Sequence, residues 1–198
     1  MASGQTHARV AKTTLILGST AGALICVRYP ALWVAYWPVV GGLVNGWLVT
    51  PDIDVDHITK EEQRWGDVPV VGGLLKTVFA TFWYPYALNV PHRGISHAWL
   101  LGTFTRFVYQ FAGLLALWFL WRAVVAVYGG KPQVEPDWAA FPWALTSYYF
   151  VGWALQDTLH LVFDWRGFRK VHRLGGVLWR VLGILLLTAT LYLLFRAP

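Results

Sequence analysis

Long apolar runs near residues 11–28, 31–50, 107–128, 138–163 and 177–195 constrain this chain more than any other feature. A helix needs about 20 residues to cross a hydrocarbon core. The last four runs reach that length, and the first is marginal. In lipid, a spanning segment must satisfy its backbone N–H and C=O groups internally, so such runs are expected to be helical. Only 13% of the residues are charged, against about 25% in soluble domains. The sequence therefore predicts an all-α integral membrane bundle with about five transmembrane helices. It reads as a single domain over 1–198, with no internal repeat. Tyr29-Pro30 separates the first two runs as a tight turn, because the residue before a proline avoids helix. A sixth apolar stretch, 74–89, is short and carries Lys76 and Pro85, so it reads as an interfacial or re-entrant helix. A long helix is expected from Ile95 to Val127, about 50 Å at 1.5 Å per residue. Its first turns, with His97 and Arg106, are then expected to project beyond the hydrocarbon core.

Polar punctuation falls between these runs. Pro51-Asp52-Ile53-Asp54-Val55-Asp56-His57 follows the second run, His92-Arg93-Gly94-Ile95-Ser96-His97 precedes the third, and Asp157, His160 and Asp164 close the fourth. Threading the helices alternately through a bilayer places the motifs 51–57, 92–97 and 157–164 on one side, together with His7. No motif residue is needed to place the helices, so this agreement points to one composite site. The same side carries Lys60, Arg64, Lys76, Arg93, Arg166 and Arg169. By the positive-inside rule it faces the cytoplasm, giving a multi-pass protein of the inner (plasma) membrane.

Each motif has a plainer alternative. Asp52 and Asp54 are two apart, suited to bridging or chelating a cation if the backbone is extended, but a solvated acidic loop has the same pattern. His92 and His97 would lie about 140° apart on a continuous helix. They converge only if Gly94 and Ser96 mark a transition from loop to helix; otherwise they are two interfacial histidines. Asp157, His160 and Asp164 share one helix face. That suits a histidine ligand with supporting carboxylates, or a polar helix end. Buried carboxylates are costly near a membrane without partners. His7 is either a further ligand or a solvated terminal histidine. Arg93 is placed to bind anionic oxygens, or to pair with Asp52 or Asp54.

The net charge of +6 fits lipid headgroups and cytoplasmic loops. The basic residues do not form a soluble aromatic-interleaved patch, so nucleic acid is not expected. The lone cysteine, Cys26, excludes an internal disulfide. No phosphate-cradling glycine loop, dinucleotide fingerprint or nucleophile elbow is present.

Pro51-Asp52-Ile53-Asp54, Gln63-Arg64-Trp65-Gly66, Tyr84-Pro85-Tyr86, His92-Arg93-Gly94-Ile95-Ser96-His97 and Gly102-Thr103-x-x-Arg106 resemble a family of bacterial and archaeal membrane metal-binding proteins. The motifs are similar to those of the YdjM-like, LexA-regulated membrane-bound metal-dependent hydrolases. Those carry a Pro-Asp-x-Asp element, a His-Arg-Gly-x-Thr/Ser-His element and a late His-x-x-x-Asp element, here His160 to Asp164. An early histidine in that family is matched by His7. The resemblance covers His7 to about Asp164 and implies a metal site more firmly than a reaction.

The expectation is a divalent metal held by a subset of Asp52, Asp54, His92, His97, His160, Asp164 and His7. The mixed N/O donor set suits zinc first, with manganese or iron as alternatives. The expected function is metal-dependent hydrolysis of a lipid or phosphoester, with Asp54 or Asp157 as general base and Arg93 stabilising the oxyanion. The alternative is a non-enzymatic metal-binding accessory subunit of a larger membrane complex. A metal transporter fits less well, because transport sites lie near the bilayer midplane. Expected partners are membrane lipids and other membrane subunits.

Overall fold

The computed structural model describes residues 4–54, 66–90, 94–130 and 141–163, with 181 and 185. For residues 4–8, 53–54 and 163 it describes the backbone alone. Among the described residues there are five α-helices and no strand: α1 (Gly4–Arg28), α2 (Trp33–Leu48), α3 (Gly72–Asn89), α4 (Leu101–Val127) and α5 (Trp143–Phe163). Short 3-10 turns cover Pro30–Leu32, Pro51–Asp54 and Ile95–His97. The first contains the expected break after Tyr29. Proline supplies the fixed φ that starts the turn, and the chain reverses into α2.

The bundle is built around α2 and α5, which run parallel in close contact. A Cβ on Gly42 would lie 2.0 Å from the Tyr149 carbonyl oxygen, and one on Gly152 would lie 2.1 Å from that of Val39. Only glycine allows the two backbones this near. Beside them Trp153 is fully buried and donates its indole N–H to the Val49 carbonyl at 3.3 Å. α1 lies antiparallel to α2, with the Tyr36 hydroxyl donating to the Ser19 carbonyl at 3.2 Å. It also touches α5, where the Gln156 amide donates to the Ala11 carbonyl at 2.9 Å. α4 runs antiparallel to α5. α3 runs antiparallel to α4: Tyr86 and Thr105 share a 2.9 Å hydroxyl bond, and Phe82 meets Tyr109 one turn further along each helix. Trp83, Tyr86 and Tyr109 pack edge-on or tilted at 5.2–5.7 Å between centroids, joining α3 to the core of Val49 and Trp153.

Two expectations change. Among the described residues only Arg9–Arg28 and Leu101–Val127 are long and apolar enough to cross a membrane, so five spanning helices are not supported. α2 has 16 residues, about 24 Å, which is short of the ~30 Å hydrocarbon core. α5 has 21 residues, but Gln156, Asp157 and His160 dilute its apolar character. The run 177–195 lies outside the described residues except for 181 and 185. The stretch 74–89 is helical as expected, within a continuous 18-residue helix that meets α4 through Phe82, Trp83 and Tyr86. Second, the helix expected from Ile95 is divided. The 3-10 turn ends at His97, Leu100 takes φ 60°, and α4 begins at Leu101.

Candidate metal centre

Three side chains from distant parts of the chain meet at one end of the bundle. Asp52 is delivered by the 3-10 turn that follows α2, His97 by the turn before α4, and His160 by the last turn of α5. His97 Nε2 lies 3.4 Å from Asp52 Oδ1, and His160 Nε2 lies 3.5 Å from Asp52 Oδ2. The imidazole centroids are 6.5 Å apart. Ligand atoms of all three lie within 4.8 Å of one another.

This arrangement fits a divalent cation. Two neutral imidazoles and one carboxylate form a mixed N/O set of the kind that binds zinc, manganese or iron. The separations of 3.4 and 3.5 Å approach the edge of about 3.3 Å between ligands each ~2.0 Å from a tetrahedral zinc. His97 is fully buried and His160 nearly so, while the Asp52 side chain is 35% exposed. The imidazole nitrogens are therefore enclosed by the helices, and among the three side chains only Asp52 is partly exposed. In the metal-free protein burial opposes ionisation of Asp52, but hydrogen bonds from His160 and His97, and their charge when protonated, outweigh it. They hold the carboxyl well below its ordinary range. The group is thus an anionic ligand at any physiological pH.

A second buried layer supports His97. Ser96 Oγ lies 3.0 Å from His97 Nδ1. The Ser96 carbonyl accepts from the Arg106 guanidinium at 2.9 Å. Arg106 also pairs with Asp157 Oδ2, which accepts the Thr103 hydroxyl at 2.6 Å. Ser96, His97, Thr103, Arg106 and Asp157 are each at most 2% exposed. Gly102 makes this approach possible, since a Cβ there would sit 1.9 Å from the Ser96 carbonyl oxygen. The Trp99 indole donates to the Thr158 hydroxyl at 3.2 Å and ties the same segment to α5.

Of the expected site residues, the structure brings together Asp52, His97 and His160. Asp157 lies next to the centre, turned toward Arg106 and Thr103. The backbone of Asp54 continues the Asp52 turn and that of His7 lies in the first turn of α1, but their side chains fall outside the description. His92, Arg93 and Asp164 lie outside the described residues, as do Asp56 and His57. Sequence reasoning missed Arg106, read as projecting from the bilayer core; it is the buried partner of Asp157. The signal was the i, i+3 spacing of Thr103 and Arg106, which puts a hydroxyl and a guanidinium on one helix face.

Comparison with known proteins agrees with metal binding by this chain. The chain is 28% identical over 132 residues to an uncharacterized protein of Aquifex aeolicus (strain VF5), covering 63% of this chain and 85% of that one. No solved structure matches it. A family model matches residues 2–174, a span that includes Asp52, His97 and His160, and the chain belongs to that family, the uncharacterized metal-binding proteins DUF2227.

Proposed function

We propose that this protein is a membrane-embedded, metal-dependent hydrolase acting on a lipid or phosphoester at the cytoplasmic face of the inner membrane. The observation that carries the reading is the convergence of three ligand side chains, Asp52, His97 and His160, of which Asp52 is partly exposed. Three protein ligands with room for a further group are the pattern of catalytic rather than structural zinc sites. The motif similarity to YdjM-like hydrolases supports the same class.

A bound divalent ion would supply Lewis acidity and an activated water at neutral pH. The protein's residues do the rest. Asp52, His97 and His160 hold the ion, and the burial of both histidines fixes their orientation. Asp157 accepts from Thr103 and Arg106 and is 2% exposed, so the general base is assigned to Asp54, two residues beyond Asp52 in the same turn. Arg93, next to His92, is assigned to the developing negative charge on the substrate oxygen. This three-ligand site does not need the other expected ligands, His92, Asp164 and His7.

Membrane embedding is supported by the outer face of α4, where Leu117, Phe119, Leu120 and Val127 are each 58–82% exposed. Apolar surface this extensive needs lipid or protein to cover it. A lipid substrate is supported by an almost wholly apolar groove of about 380 Å3 between α1 and α5, lined by Leu17, Leu155 and Leu159 with Arg9 among its walls. The groove runs beside the last turns of α5, the helix that carries His160.

The test is an ester and phosphoester screen of the purified, zinc-loaded protein, with Asp52→Ala and His97→Ala as controls. Metal-dependent activity lost in both variants is expected. Activity unchanged in both would refute the site. The same exposed face of α4 also suits a partner helix, which favours the second reading, a metal-stabilised accessory subunit. Stoichiometric copurification of another membrane protein, with no hydrolysis of any ester tested, would select it.

A further inference from the structure

We infer that Arg106 and Asp157 form a buried brace that sets the tautomer and position of His97, and so tune metal affinity without touching the metal. The inference rests on the metal-centre reading above. Ligation through His97 Nε2, the nitrogen facing Asp52, requires the ring proton on Nδ1. That proton then donates to Ser96 Oγ, 3.0 Å away. Ser96 cannot hold this orientation alone, because it sits in a three-residue 3-10 turn, Ile95–His97. Its carbonyl is anchored by the Arg106 guanidinium at 2.9 Å, and Arg106 is itself anchored by Asp157. Asp157 is further held by the Thr103 hydroxyl at 2.6 Å. The chain of contacts runs from α5 through α4 to the His97 turn, and every member is at most 2% exposed.

The arrangement has a second consequence. Asp157 lies one turn before His160 on α5, and Arg106 belongs to α4. One ion pair therefore fixes the helix that carries one histidine against the turn that carries the other. Outer-shell partners of this kind orient ligands and raise their basicity, and their loss typically lowers metal affinity about 10–100-fold. A guanidinium is required rather than an ammonium, because two donors must reach a carbonyl and a carboxylate in fixed directions.

The experiment is titration of the full chain in detergent with Co(II), read by its ligand-field absorption, and with Zn(II) by competition. The variants are Arg106→Met with Asp157→Leu together, Arg106→Lys, and Ser96→Ala. The double variant replaces the ion pair with apolar groups of similar size, a change that buried pairs often tolerate. Ser96→Ala removes one hydroxyl and leaves the fold's ionic contacts in place. Weaker metal binding by about 10–100-fold in the double variant, with apo-protein melting close to that of the parent, is the expected result. A smaller loss is expected for Ser96→Ala, and Arg106→Lys is expected not to restore parental affinity. Parental affinity and an unchanged Co(II) spectrum in both the double variant and Ser96→Ala would overturn the brace. If the double variant does not fold, Ser96→Ala decides alone, by the same criterion. Failure of the parent itself to bind Co(II) or Zn(II) would instead overturn the metal centre, so the two failures are distinct.

Discussion

Replacing Gly102 with alanine sets two opposing effects against each other. Gly102 is the second residue of α4. Gly→Ala within a helix ordinarily gains up to about 1 kcal/mol. Here the new Cβ would lie 1.9 Å from the Ser96 carbonyl oxygen, 2.5 Å from its carbon and 2.9 Å from the Ile95 carbonyl oxygen. Ordinary contact begins at 3.4 Å, so the turn must retreat by roughly 1.5 Å. All three atoms are backbone, and no rotamer change relieves the clash. Overpacking of this kind costs about 1–3 kcal/mol, which exceeds the helix gain, so a net loss of about 1 kcal/mol is expected. That corresponds to ~2–4 °C in melting temperature for a chain of this size. The effect on metal is larger, because metal–ligand distances tolerate only about 0.2 Å and the displaced residue adjoins His97. Zinc affinity is expected to fall by more than tenfold. Gly73→Ala is the control: its Cβ would meet nothing within 4 Å, so it should stabilise by up to about 1 kcal/mol and leave zinc binding unchanged. Thermal melts and zinc titrations of both variants decide the matter. A Gly102→Ala protein that melts higher than the parent and binds zinc equally well would refute the packing argument.

Acidification should release the metal through protonation of the two imidazoles, with about two protons bound per ion lost. Asp52 adds none over this range, because its carboxyl is held below its ordinary value. The Asp52 contribution to apo-protein stability is therefore present above about pH 4 and is lost as the pH falls further. A titration of zinc affinity against pH, with a melting series of the apo-protein, checks both signs. Arg106→Met alone should destabilise by about 3–5 kcal/mol, since it leaves Asp157 charged and buried without its partner; chemical denaturation measures this. Zinc at 100 times its Kd should stabilise the protein by about 2.7 kcal/mol, and the gain should vanish on chelation or in His160→Ala.

The candidate site was more legible in the sequence than the number of spanning helices. Asp52, His97 and His160 stood out because His and Asp are conspicuous among apolar runs, and alternating helix direction sends all three to one end. The helix count was harder to read, because an apolar run does not distinguish a spanning helix from a bundle core. α2 and α5 are apolar partly because they pack on each other through Gly42 and Gly152. The break at Ala98–Leu100 was hidden because nothing in Ala-Trp-Leu signals a positive φ. Leu100 adopts φ 60° where tertiary contacts hold Ser96 and Trp99 in place. Arg106 was misjudged for a related reason. An arginine in the first turns of an over-long helix reads as lying beyond the hydrocarbon core, and only the fold shows that Asp157 faces it.

The central claim is tested most directly by the metal content of the purified protein and of Asp52→Ala, His97→Ala and His160→Ala, measured by elemental analysis after gel filtration. The structure predicts a stoichiometric divalent ion in the parent and its loss from all three variants, each of which still folds to a helical protein. A parent without metal, or His97→Ala and His160→Ala proteins that retain the full amount, would contradict it.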